Sequence, residues 1–271
     1  MQQIDLAVCS LASGSSGNCF LIKTDNTAVL VDAGISARQV AAALSGLGIS
    51  LGEISAVLIT HEHSDHIKGL RPIAKGSGAA VYASRGTAKG MGFANEIAEL
   101  RCFCPGDSFV IGDLEVRSFA TSHDAAEPCG FSFISRGKQV SIVTDTGCVT
   151  QEEFSQMRDA DVLILESNHD ESVLRMGRYP WFLKQRILSD HGHLSNEAAA
   201  GALLEVLRAE AESGTRKRRL VLLAHLSKEN NFPEMALQTM SNILSLGRFA
   251  PGADLRIEVL SRTEPSPLYI L

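Results

Sequence analysis

Six consecutive residues, HEHSDH at positions 61–66, constrain this chain more than any other stretch. They directly follow an apolar run, SAVLIT, which predicts a buried strand. Imidazoles and carboxylates crowded at a strand end need partners, and zinc, manganese and iron all accept such ligands. Alternation along the strand end directs His61 and His63 to one ion. The turn that follows directs Asp65 and His66 to a second.

The rest of the chain alternates predicted strands with predicted helices, which indicates an α/β fold. Thr150 and Glu153 form a predicted capping box at one helix start, and Ser195 is the predicted cap of a long amphipathic helix. Residues 102–121 predict a β-meander. No long Pro/Gly/Ser-rich linker divides the chain, so we predict a single domain over residues 1–271.

Composition excludes some classes of protein. The 271 residues are 45% apolar and 21% charged, which is enough to build a core. The net charge of -6 argues against a globally basic nucleic-acid binder, although a local basic groove stays open. The sequence shows no signal peptide and no membrane-spanning run, so we expect a cytoplasmic protein with no membrane partner. Its six cysteines fit reduced, structural thiols.

The HEHSDH cluster resembles the HxHxDH signature of the metallo-β-lactamase-fold superfamily. Later strand ends match further family motifs in VLVDAG, FATSHD, SIVTDTG and RLVLLAH. The resemblance implies a four-layer αββα sandwich, with two mixed sheets and helices on the outer faces. It also implies two divalent metal ions (zinc, manganese or iron) and hydrolysis by a hydroxide that bridges them.

The resemblance assigns the ligands residue by residue. One ion takes three histidines, the other takes an aspartate and two histidines, and one aspartate bridges both ions. In that order, these residues are His61, His63 and His123; Asp65, His66 and His225; and Asp145. Asp32, which ends the VLVDAG strand, is expected to support the ligands from outside the coordination sphere.

The segment HGHLSN at 191–196 resembles a motif of transfer-RNA 3′-processing endonucleases and related phosphodiesterases. In that motif a histidine that does not bind metal contacts the scissile phosphate and helps to protonate the leaving oxygen. This likeness makes His193 a catalytic residue beside Asp65, with Glu166 or His169 as its orienting partner. Ser195 and Asn196, at the start of the following helix, are expected to bind the substrate phosphate.

Longer stretches resemble the bacterial YycJ/WalJ-type subfamily, which comprises single-domain proteins associated with DNA exonuclease activity. These stretches are LASGSSGNCFLI, THEHSDHIKGL, TDTGCV, LESNHD, LRMGRYPWFLKQRILSDHGHLSN and LAHLSKENN. The resemblance therefore implies a metal-dependent phosphodiesterase that acts as an exonuclease on DNA.

Basic and aromatic residues mix in the segment that precedes HGHLSN. Arg178 and Lys184 are candidate contacts to a nucleic-acid backbone, and Trp181 is a candidate for stacking on a base. A solvated helix face with Trp181 packed in the core explains the same pattern. In the SGSSGN loop, Asn18 is a further candidate substrate contact.

Three other functions fit the sequence. A small-molecule phosphodiesterase for cyclic phosphates or nucleotides is favoured slightly by the acidic net charge. Thioester and lactone hydrolases of the same fold share much of the ligand set. A metal-binding protein without catalytic activity is the third. The native metal, the polarity of cleavage, the choice between DNA and RNA, and the oligomeric state are not encoded in these patterns.

Overall fold

A computed structural model describes residues 4–215, 217–252 and 255–271. These residues divide into two compact units. The first comprises residues 4–120, 125–138 and 261–271, and the second comprises 121–124 and the described part of 139–260. The prediction of a single domain over residues 1–271 stays a prediction.

The first unit contains the ten strands and four helices that surround the HEHSDH motif. In chain order they are β1 (Ala7–Ala12), β2 (Cys19–Lys23), β3 (Ala28–Val31), α1 (Ala37–Gly46), β4 (Ala56–Ile59), α2 (Ser64–Ile67), α3 (Leu70–Ser77), β5 (Ala80–Ser84), α4 (Arg85–Gly90), β6 (Leu100–Phe103), β7 (Ser108–Ile111), β8 (Leu114–Ala120), β9 (Cys129–Ser135) and, near the carboxyl terminus, β14 (Tyr269–Ile270).

One mixed sheet of the first unit has the order β14-β1-β2-β3-β4-β5-β6. Its β14-to-β3 part is antiparallel and its β3-to-β6 part is parallel. Every residue of β3, β4 and β5 is buried, as expected for central strands covered on both faces. Val40 and Leu44 of α1, with Leu70 and Ile73 of α3, belong to the same apolar core as these strands. Strands β7, β8 and β9 pair antiparallel in that order.

The second unit contains a parallel ladder with helices between its strands. In chain order its elements are β10 (Lys138–Val143), α5 (Gln151–Asp159), β11 (Val162–Glu166), α6 (Glu171–Met176), α7 (Trp181–Ile187), α8 (Asn196–Glu212), β12 (Arg219–Ala224), α9 (Pro233–Leu246) and β13 (Leu255–Val259). Strands β10, β11, β12 and β13 pair in that order, all parallel. Because the carboxyl ends of parallel strands meet at one edge, residues that follow β10, β11 and β12 lie together.

The predicted α/β class with two mixed sheets is confirmed, as are the local helix signals. The side chain of Thr150 accepts a bond from the N–H of Glu153, and that of Ser195 accepts one from Ala198. The meander predicted over residues 102–121 is wrong in its first strand. Strand β6 pairs in parallel with β5 of the first sheet, and only β7 and β8 form a hairpin.

The structure also bears on the expectations about membrane spans and cysteines. No helix in the described ranges is long and apolar enough to cross a membrane. The predicted cytoplasmic location stays a prediction. All six cysteines are free thiols; Cys9, Cys19 and Cys129 are buried, whereas Cys102 and Cys104 are exposed, and a structural role for all six stays a prediction.

Candidate metal-binding clusters

In the first unit, buried hydrogen bonds fix the orientation of His66. Its Nδ1 lies 2.8 Å from Oδ2 of Asp32, and Oδ1 of Asp32 accepts the N–H of Thr60 at 2.9 Å. Since Nδ1 donates to a carboxylate, the lone pair of His66 is on Nε2, the nitrogen that has the form of a metal ligand. Oδ2 of Asp65 is 3.5 Å from this Nε2. Asp32 therefore has the geometry of the supporting carboxylate that the sequence predicts.

The other two histidines of the motif lie beside His66. The His61 and His66 ring centroids are 4.1 Å apart, and those of His61 and His63 are 4.6 Å apart. Nδ1 of His61 is 3.0 Å from the hydroxyl of Thr60, so this threonine contacts both Asp32 and a predicted ligand. The first unit thus gathers three imidazoles and one carboxylate within a single strand end and turn.

The turn that carries Asp65 also requires a glycine on the neighbouring chain segment. A Cβ added at Gly34 would lie 1.6 Å from the carbonyl oxygen of Asp65. The backbone N–H of Asn18 donates to that same carbonyl at 2.8 Å, and its side-chain amide nitrogen is 3.1 Å from Nε2 of His66. The SGSSGN loop is therefore bonded directly to the metal motif.

In the second unit, Glu166 holds two histidines at once. Its fully buried Oε1 is 2.7 Å from Nδ1 of His193 and 2.9 Å from Nδ1 of His225. Its Oε2 accepts the backbone N–H groups of Thr146 and Leu194. Burial disfavours the charged carboxylate, but attraction to His193 and the hydrogen bonds from both histidines prevail and hold the pKa of Glu166 well below its usual range.

The two histidines differ in their distance from Asp145, which follows β10. Nε2 of His225 is 3.4 Å from Oδ1 of Asp145, whereas the closest nitrogen of His193 is its Nδ1, at 3.8 Å. Because both Nδ1 atoms face Glu166, each ring turns its Nε2 away from that carboxylate. Asp145, Glu166, His193 and His225 together make a four-residue group of potential ligands.

His123 in the second unit is oriented by a backbone group. Its Nδ1 donates to the carbonyl oxygen of Gly192 at 2.9 Å, and its ring centroid is 4.9 Å from that of His193. Burial lowers the pKa of His123, so the ring is kept in the neutral form that binds metal. In both units the donors are imidazole nitrogens and aspartate oxygens, which fit a divalent metal ion.

Three residues of these clusters have backbones in the left-handed region. The φ angles are 61° for Asp32, 58° for Asp145 and 55° for His225, and only two other described residues besides glycine have positive φ. Such conformations are strained for residues with a side chain, and they persist where the surrounding structure enforces them. Backbone strain is thus concentrated at the strand ends that carry predicted ligands.

Four of the six candidate substrate contacts have internal partners. Nζ of Lys184 is buried and donates to the carbonyl oxygens of Arg175 and Gly177, and Asn196 bonds to Ser167 and Asn231. These bonds argue against substrate contact by Lys184 and Asn196, because each side chain already stabilises the fold.

Of the remaining candidates for substrate contact, two are buried with internal partners and two are exposed. Ser195 is a buried helix cap, and the side chain of Asn18 accepts the N–H of Gly14 while it contacts the metal motif. Arg178 is exposed. Trp181 is 63% exposed, so the interpretation that packed it in the core is wrong.

His169 differs from Glu166 as a candidate partner of His193. It is buried, and among the described residues neither of its ring nitrogens has a hydrogen-bond partner. Burial lowers its pKa to about 4. Sequence reasoning missed Asn168 of the same LESNHD stretch, whose amide donates to the carbonyl oxygen of His225 at 2.8 Å and so fixes the strained residue.

Comparison with known proteins identifies the family. The model of the "Beta-lactamase superfamily domain" matches residues 27–218. The chain belongs to this superfamily. It is 40% identical to "Exodeoxyribonuclease YycJ" of Bacillus anthracis over 250 residues, which cover 91% of this chain and 92% of the relative. It is 38% identical to "Exodeoxyribonuclease WalJ" of Streptococcus pneumoniae over 273 residues, which cover 99% of each chain.

A solved structure shows the fold. The metallo-β-lactamase fold protein YhfI from Bacillus subtilis superposes with a TM-score of 0.69 at 15% identity, covering 96% of this chain and 99% of that one. The chain therefore has the metallo-β-lactamase fold that the HEHSDH motif predicts.

Proposed function

We propose that this protein is a metal-dependent exodeoxyribonuclease that uses two divalent cations. The observation that carries the proposal is its likeness, over nearly the whole chain, to two relatives named as exodeoxyribonucleases. The hydrogen bonds of Glu166 to His193 and His225 support hydrolysis of a phosphodiester, since they place a potential proton donor, His193, next to a predicted metal ligand, His225.

The ligand assignment is part of the proposal. Its support is family membership together with the orientation of three rings, because the hydrogen bonds to Nδ1 of His66, His123 and His225 put the lone pair of each ring on Nε2. The proposed set is His61, His63 and His123 for one ion; Asp65, His66 and His225 for the other; and Asp145 between them. Zinc, manganese and iron all suit these donors, and when bound the cations supply a nucleophile at neutral pH and stabilise charge on the phosphoryl oxygens.

His193 is proposed to donate a proton to the leaving oxygen. Its Nδ1 is held by Glu166, so its Nε2 is the atom that exchanges the proton with substrate. Glu166 is thus a positioning residue, because it acts through His193 and His225.

The test uses purified, metal-loaded protein and oligonucleotides labelled at one end. We expect progressive shortening of DNA, loss of the activity on treatment with a chelator, and its return with zinc, manganese or iron. Asp65→Ala should abolish the shortening. The proposal fails if the wild-type protein shortens neither DNA nor RNA, or if Asp65→Ala is as active as the wild type. Faster shortening of RNA would exclude the DNA assignment alone.

A small-molecule phosphodiesterase is the second candidate, because the net charge of -6 does not favour a polyanionic substrate. Bis(p-nitrophenyl) phosphate, cyclic nucleotides and oligonucleotides separate the two functions when kcat/KM is compared. A value for cyclic nucleotides above that for oligonucleotides would favour this candidate over the nuclease.

A further inference from the structure

A cavity of about 500 Å³ lies in the first unit, beside the loop that is bonded to the metal motif. Its walls come from the end of β1 and the β1–β2 loop, from Ile35 and helix α1, from Lys68 just after α2, and from Arg262, Thr263 and Pro265. The volume is within the range of small-ligand sites. None of the predicted metal ligands lines it, so it is separate from the clusters described above.

The cavity combines two cations with an apolar wall. Lys68 and Arg262 supply the positive charge, while Ile35, Ala42 and Ala43 supply apolar surface. No acidic residue is among the residues that line it. Two cations favour a phosphate group, and an apolar wall favours the flat face of a base.

Hydrogen bonds hold each wall in place. Ser266 and Ser10 exchange two bonds, which fix the carboxyl-terminal segment against the end of β1. On the other side, Gly34, just before α1, donates its N–H to the carbonyl oxygen of Asn18 at 2.8 Å. Nζ of Lys68 donates to the carbonyl oxygen of Ser16, which places this cation at the β1–β2 loop. The site is therefore built before any ligand arrives.

The cavity is also close to the predicted metal ligands along the chain and in space. Lys68 comes three residues after Asp65, and the loop that lines the cavity is bonded through Asn18 to Asp65 and His66. The β1–β2 loop thus connects the wall of the cavity directly to the metal motif.

We infer that this cavity binds one nucleotide of the substrate DNA strand, with its phosphate at Lys68 and Arg262 and its base against Ile35, Ala42 and Ala43. The inference rests on the proposed function for the identity of the strand. It assigns the cavity to a 2′-deoxynucleotide adjacent to the one that is cleaved.

Calorimetric titration of the metal-free, full-length protein tests the site without cleavage. The ligands are dTMP, thymidine and inorganic phosphate, and dTMP should bind most tightly because it alone meets both the cations and the apolar wall. Lys68→Gln and Arg262→Gln should each weaken dTMP binding about tenfold. Ala42→Leu, on an exposed helix position, should weaken dTMP but leave phosphate unchanged.

Matched controls exist in the same unit. Lys23→Gln removes another lysine whose Nζ donates to a backbone carbonyl, and Arg117→Gln removes another partly exposed arginine. Both should bind dTMP as the wild type does. Unchanged affinity in Lys68→Gln and Arg262→Gln, or equal affinity for dTMP and phosphate, would overturn the inference.

Kinetics on an oligonucleotide separate this inference from the proposed function. The two glutamine variants should raise KM about five- to tenfold with kcat within about twofold of the wild type. If DNA is shortened and KM is unchanged in both variants, the nucleotide site is refuted and the nuclease stands. If dTMP binds as expected but no nucleic acid is shortened, the proposed function is refuted and the nucleotide site stands.

Discussion

Oε1 of Glu166 lies 2.7 Å from Nδ1 of His193, and this contact fixes the orientation of the predicted catalytic histidine. The same oxygen accepts from Nδ1 of His225 at 2.9 Å. One buried carboxylate therefore sets the tautomer of a predicted proton donor and of a predicted metal ligand. We expect these two roles to be separable by mutation.

Glu166→Gln tests the shared carboxylate. The amide keeps the shape of the side chain but loses the charge, so kcat and metal affinity should each fall roughly 10- to 100-fold. Metal titration and initial rates on labelled DNA measure both effects. Glu153→Gln is the matched control, since Glu153 is a buried carboxyl of the same unit that caps a helix. Equal rates in Glu166→Gln and Glu153→Gln would contradict the positioning role.

The two histidines on Glu166 should respond differently to removal. His225→Ala is expected to lose metal, because its Nε2 lies 3.4 Å from Oδ1 of Asp145, a predicted ligand of both ions. His193→Ala should keep the wild-type metal content and lose about a hundredfold or more in kcat, as expected for a general acid. Elemental analysis of the purified variants gives the metal content. Loss of metal in His193→Ala would place that residue among the ligands.

Local signals in the sequence predicted local structure well. The HEHSDH motif, the Thr150 box and the Ser195 cap each depend on residues a few positions apart, and each lies where it was expected. Pairing of β6 with β5 depends on a contact across the fold, so the hairpin-like spacing of residues 102–121 gave the wrong partner. Sheet order is fixed by tertiary packing, and turn residues do not indicate which strands will pair.

The sequence predicted which types of residue form the candidate site, but it predicted their contacts less well. Lys184 and Asn196 have the composition of substrate-binding residues, yet both are buried with internal partners. Their burial depends on neighbours distant in sequence, such as Asn231. The left-handed backbone conformation of His225 could not be predicted from the sequence either, since histidine rarely adopts that conformation without tertiary restraint.

Glu153 should make stability depend on pH. Burial raises its pKa to about 7 in the folded protein, against hydrogen bonds from Thr150 and Thr146 that lower it. A carboxyl whose folded-state pKa is raised binds its proton more tightly when folded. Its contribution to stability is therefore complete below the unfolded value of 4.5 and is lost as pH rises through about 7.

The size of this effect is roughly 3 kcal/mol for a shift of this extent. Urea unfolding of the wild type and of Glu153→Gln at several pH values between 4.5 and 8 measures it. The difference in unfolding free energy between the two proteins should move in favour of the variant as pH rises, since glutamine does not ionise. A difference that is constant over this range would show that Glu153 does not titrate near pH 7.

Trp181 should contribute to binding of single-stranded DNA without contributing to the fold. It is 63% exposed at the start of α7, next to Phe182 at 73% and close in sequence to the exposed Arg178. Stacking of one base on an aromatic ring contributes roughly 1–3 kcal/mol, so Trp181→Ala should weaken binding about 5- to 100-fold with little change in Tm.

Fluorescence anisotropy of a labelled oligonucleotide on inactive Asp65→Ala protein gives the affinity. Leu246→Ala, which removes an 85% exposed side chain of the same unit, is the control. Equal affinities for the Trp181 and Leu246 variants would mean that Trp181 does not bind DNA.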